Sequence, residues 1–172
     1  METLAEFLAS DTLAAFVSDY SWVWPLGEIL HFVGMTLLIG AIGLLDVRIL
    51  GVAKGVPIAT VNKLIPIGIA GFAMNVTSGL VFVMGNPIGG PMDYLENLAF
   101  LLKMLLIFLA GINLLAFHVA GIARAADAVP AGGDAPTGAK VVAAASLLLW
   151  AGVIFFGRMI MYNDTLLYAL GL

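Results

Sequence analysis

Four long apolar runs constrain this chain more than any other feature. They cover roughly Trp24–Leu50, Lys63–Met84, Leu95–Ala123 and Val141–Met161. An α-helix needs about 20 residues to cross about 30 Å of hydrocarbon, and each run is that long. In lipid the backbone must satisfy its own hydrogen bonds, so such a run folds as a helix. Only 10% of residues are charged, against about 25% in a soluble domain. The sequence therefore predicts an all-α fold: an integral membrane four-helix bundle over residues 21–172. Residues 1–20 differ. Glu2, Glu6, Asp11 and Asp19 interrupt Leu4, Phe7, Leu8, Leu13, Phe16 and Val17. That pattern predicts an N-terminal amphipathic surface helix. It lacks the basic start and unbroken apolar centre of a secretory signal.

The connections carry their own signals. Arg48, Lys54 and Lys63 flank the first and Arg124 and Lys140 the third, while Asp93, Glu96 and Asp164 lie at the other end. Lys and Arg in short loops stay on the cytoplasmic side, which places both termini outside. "GVAKGVP" and "GNPIGGPMD" hold Gly and Pro where helices must stop. Residues 126–139, "ADAVPAGGDAPTGA", read as a flexible cytosolic loop. Trp22 and Trp24 suit the headgroup level, and Pro25 suits a first helical turn. Gly34, Gly40 and Gly43, Gly68, Gly71 and Gly79, Ala110 and Gly111, and Gly152 and Gly157 are small residues that let helices approach closely in lipid.

Polar residues inside the runs are the candidate site. "GEILHFVGMTLLIG", residues 27–40, carries Glu28 and His31 one turn apart. At about 1.5 Å of rise per residue, Glu28, His31, Lys103, Arg158, Asn75, Thr77 and Ser78 fall at one level near the outer face. Asp46, Arg48, Asn113 and His118 fall at an inner level. An ionisable side chain at the bilayer centre costs about 2.5–3.5 kcal/mol on insertion scales. Glu28, Lys103 and Arg158 are therefore expected to face inward and pair, with His31 hydrogen-bonded nearby. The alternative is a site: two cations beside one carboxylate and an imidazole suit an anion, or a haem with its propionates. His31 and His118 should lie on the order of 20 Å apart along the membrane normal, whereas one iron needs its ligand nitrogens roughly 4 Å apart. Two metal sites, or one histidine ligand, are the remaining possibilities. Met74, Met84, Met104, Met159 and Met161 lie in or at the ends of spans; His plus thioether suits copper(I), though Met is also ordinary packing material.

Several classes are excluded. With no Cys there are no disulfides or thiolate sites. "GNPIGG" joins two spans and is no phosphate cradle, so neither nucleotide nor nucleic acid is an expected partner. Asp46 and His31 lie at opposite levels, so no Ser-His-Asp arrangement is indicated.

The blocks "GEILHFVGMTLLIGAIGLLDVRILG", "NLAFLLKMLLIFLAGINLLAFH" and "FGRMI" resemble a group of small bacterial four-helix membrane proteins of unknown function. The likeness runs over about residues 21–162. More distantly, a first-span His followed by Gly and Arg, with a later "LLKMLLIFLAGIN", is similar to the copper-resistance D domain and to the haem-binding membrane protoporphyrinogen oxidase. The second resemblance implies His31 as a b-type haem ligand and Lys103 as the essential Lys. Phe32 and Val33 stand where that enzyme has Trp, so porphyrin oxidation itself is not carried over. The leading expectation is a b-type haem-binding redox protein of the bacterial inner membrane, its termini periplasmic. Glu28 would orient His31, Lys103 and Arg158 would neutralise propionates, His118 would serve a second haem near the inner face, and Asn113 is a further candidate cofactor contact. Electrons would pass to a quinone or a periplasmic partner. A copper or small-anion transporter is the first rival, and a structural subunit of a larger complex the second. A homo-oligomer fits so small a bundle.

Overall fold

The computed structural model describes residues 2–171 and is all-helical over them. The order is α1 (Glu2–Leu8), α2 (Asp11–Asp19), α3 (Val23–Ile49), α4 (Ile58–Asn62), α5 (Ile65–Met84), α6 (Met92–Leu95), α7 (Leu98–Val119), α8 (Ile122–Asp127), α9 (Thr137–Met159), a 3₁₀ turn (Ile160–Tyr162) and α10 (Asn163–Leu170). Four stretches are long and apolar enough to cross a membrane: α3, α4 with α5, α7, and α9 with its continuation into α10.

Helix ends differ from the sequence expectation where capping intervenes. Residues 2–19 form two short helices rather than one, because extended Ser10 caps α2 by accepting from the Leu13 amide at 3.3 Å. Residue 1 lies outside the described residues. The third span begins at Leu98, since the Asn97 side chain accepts from the Phe100 amide at 3.1 Å. It closes before Gly121, whose left-handed φ of 71° turns the chain into α8. The fourth starts four residues earlier than expected, immediately after Pro136.

The helices pack in the order α5–α3–α9–α7. The α3–α5 contact is the tightest. A Cβ on Gly71 would stand 2.5 Å from the Gly34 carbonyl oxygen, and one on Gly34 would stand 2.7 Å from the Gly71 oxygen. Two glycines facing each other thus let two backbones touch. On the other hairpin, Gly152 of α9 seats Leu106 of α7, whose Cδ1 would be 2.7 Å from a Cβ there.

One end of the bundle is closed by a core of Leu45, Ile49, Ile58, Phe117, Ala126, Val129, Ala135, Ala139 and Ala143. This corrects the expectation of a flexible loop at 126–139. The Gly132 amide donates to the Lys54 carbonyl at 2.7 Å, and Asp134 bridges Lys54 at 2.8 Å and Lys140 at 2.9 Å. Its polar composition hid the three alanines and one valine that it turns inward. The two ammonium groups, Lys54 first, hold the exposed Asp134 carboxyl down at about 2. Away from this end the long helices turn large apolar side chains outward: Ile69 is 64% exposed, Phe108 65% and Leu148 75%.

Candidate functional site

The outer-level polar residues do not converge as the sequence suggested. Glu28 is exposed and accepts a hydrogen bond from the Trp24 indole at 3.2 Å. Arg158 is exposed at the end of α9, with its guanidinium 3.4 Å from the Tyr162 hydroxyl and 5.4 Å above that ring's centre. Among the described residues the ion pairs are Lys54–Asp134 and Lys140–Asp134 alone. The expected inward pairing of Glu28 with Lys103 or Arg158 is therefore not formed. Both residues sit near helix ends, where long or interfacial side chains reach water and need no buried partner.

His31 and Lys103 do enter the bundle. His31 of α3 is half-buried, and its Nδ1 lies 2.8 Å from the Ser78 Oγ of α5. Ser78 itself is buried, and its oxygen is 2.7 Å from the Met74 carbonyl one turn back. A serine hydroxyl has one proton. The carbonyl only accepts, so that proton goes to Met74, and the Ser78 oxygen must accept from His31. The neutral ring is thereby fixed with hydrogen on Nδ1 and a lone pair on Nε2. Phe82 lies beside the ring at 5.6 Å between centres, and Gly79 leaves room against Cε1. Lys103 of α7 is half-buried and runs along Gly157 of α9, where a Cβ would meet its Cδ, Cε and Nζ at 3.7–3.9 Å.

The remaining expected site residues serve elsewhere. Asn113 donates to the Val142 carbonyl at 3.1 Å and so ties α7 to α9. His118 is exposed, with Nδ1 2.9 Å from the Leu114 carbonyl of its own helix. Neither joins His31 in one pocket. No group of three or more His, Asp or Glu side chains able to hold a metal ion occurs among the described residues.

At the inner end Arg48 is 2% exposed. It donates to the carbonyls of Val56, Lys54 and Gly133, the latter two at 3.3 and 3.5 Å, and its Nη1 has no partner. Asp46, two residues earlier, is 6% exposed, and its Oδ2 also has no partner. Ser146 is buried as well, on α9, which packs against α3. Sequence reasoning missed Ser146. The available signal was a single hydroxyl in the otherwise apolar run from Val141. No family model, curated protein or solved structure matches the chain, so its likenesses to known groups rest on the short motifs quoted above.

Proposed function

We propose that the chain is an integral membrane protein that crosses the bilayer four times, with both termini outside, and that its outer half holds a b-type haem on His31 for electron transfer. The observation that carries this reading is the His31–Ser78 hydrogen bond at 2.8 Å. Metal-bound histidines generally donate their second ring N–H to an oxygen, which fixes the ring and its tautomer. Ser78 fills that role in place of the expected Glu28, and leaves the Nε2 lone pair for a ligand bond. Lys103 supplies a positive charge at the same level, suited to a propionate. Glu28, Arg158, Asn113 and His118 drop out of the set, so one haem with one protein ligand is what these residues fit. A bound haem would supply a one-electron couple between the membrane and a quinone or soluble partner. The chain's own part is to hold the imidazole, exclude water with Phe82, and balance charge through Lys103. A copper site is favoured less, because copper retention needs several converging donors and His31 brings one.

Purified protein made with ample haem tests the reading. A reduced-minus-oxidised spectrum should show Soret and α bands, and His31→Ala should remove them while the protein remains folded. Absence of both bands in the unsubstituted protein overturns the proposal. So does their persistence in His31→Ala.

A further inference from the structure

The inner half of the bundle holds a second chemically unusual place that owes nothing to His31. Asp46 lies three residues before the end of α3, is 6% exposed, and has a carboxyl oxygen with no hydrogen-bond partner. An ionised carboxylate taken out of water is among the costliest groups to bury, and it is retained only when a cation or several donors face it. No cation does. On its own helix, Arg48 sends its guanidinium to the loop carbonyls of Lys54, Val56 and Gly133. Helices α4 and α5 carry no ionisable residue at all. The only charged residues of α9 are Lys140, engaged with Asp134, and Arg158, at its far end. The helix α9 that packs against α3 carries one buried hydroxyl, that of Ser146.

We propose that Asp46 and Ser146 form a proton-binding site within the membrane, the carboxyl carrying a proton at neutral pH and exchanging it. A proton satisfies the geometry where a metal ion does not. Mg²⁺ and Ca²⁺ take about six or more oxygen ligands, whereas one carboxyl and one hydroxyl suffice to seat one proton. The neutral acid removes the buried charge. Its O–H becomes a donor, and its carbonyl oxygen accepts from Ser146. Such protonated acids inside membrane bundles are the elements from which proton relays are built.

Infrared difference spectroscopy of the full chain in detergent micelles at neutral pH tests this. The spectrum of the unsubstituted protein minus Asp46→Asn should contain the C=O stretch of a protonated carboxylic acid, and the band should shift in D₂O as the proton exchanges. Ser146→Ala keeps the carboxyl and should move the band to higher frequency, because a hydrogen bond to the C=O is lost. If Asp46→Asn does not fold, the Ser146→Ala shift alone carries the test. Carboxylate bands only, no D₂O shift, or a band indifferent to Ser146→Ala would each overturn the proposal. The outcome is independent of whether haem binds at His31.

Discussion

At the scale of single residues, the His31–Ser78 hydrogen bond is the polar contact that joins α3 to α5. His31 and Ser78 lie 47 positions apart, and nothing local to either says that they meet. Depth put both in the outer half of the bundle, but which face of α5 turns toward α3 is decided by Gly71 against Gly34. Glu28 shows the opposite error. Its spacing of three from His31 implied a shared face, yet its place in the second turn of α3 gives it Trp24 instead. The His31–Ser78 pair makes a quantitative claim. A buried neutral hydrogen bond contributes about 1 kcal/mol, and pairs between membrane helices average about 0.6 kcal/mol. Ser78→Ala should therefore destabilise the protein in micelles by about 1 kcal/mol. In the double variant with His31→Ala the two losses should fall short of adding, because both remove one interaction. Denaturant titration of the four proteins measures the coupling. Strict additivity would mean that the bond contributes nothing.

At the scale of elements, the four long helices were legible from apolar length alone, and their packing was legible only as a class. Many small residues line the runs, and the sequence gives no means of ranking them. Gly34 and Gly71 are the pair in contact, while Gly40 and Gly43 of the same α3 face open space. The contrast is testable. Gly71→Ala forces a Cβ to within 2.5 Å of one backbone oxygen and 2.7 Å of the Leu38 nitrogen, and backbone cannot step aside as a side chain can. Overpacking of that kind costs about 1–3 kcal/mol. Gly40→Ala meets nothing within 4 Å and relieves the conformational freedom of a mid-helix glycine, worth about 0.5–1 kcal/mol in the opposite direction. Thermal unfolding in micelles should lower the midpoint for Gly71→Ala and leave that of Gly40→Ala unchanged or raised. Equal effects would place the α3–α5 contact elsewhere. The 126–139 segment marks the limit of composition as a guide. Gly, Pro and Asp announced a loop, but its anchoring comes from Lys54 and Arg48, some eighty residues away in sequence.

At the scale of the whole molecule, charge is divided between two ends. Arg48, Lys54, Lys63, Arg124 and Lys140 gather where the 51–57 and 128–136 connections meet, and only Lys103 and Arg158 of the seven basic residues lie toward the other end. Between the ends the long helices present an apolar surface, with Ile69, Phe108 and Leu148 turned outward. Basic residues near span ends resist transfer across a membrane, so the proposed four-span reading carries an orientation that can be tested. The complete absence of cysteine makes the orientation directly readable, because any introduced thiol is the only one. Phe7, Ile88 and Tyr168 are 82%, 94% and 87% exposed at the acidic end, and Val52 is 59% exposed at the basic end. In intact bacterial cells expressing the protein, a membrane-impermeant maleimide should label Phe7→Cys, Ile88→Cys and Tyr168→Cys. It should label Val52→Cys and Ala131→Cys only after permeabilisation. The reverse pattern would invert the orientation and put the His31 level on the cytoplasmic side. Labelling at Ile69→Cys or Phe108→Cys as fast as at Ile88→Cys would remove the membrane from the reading, since those outward faces would then stand in water.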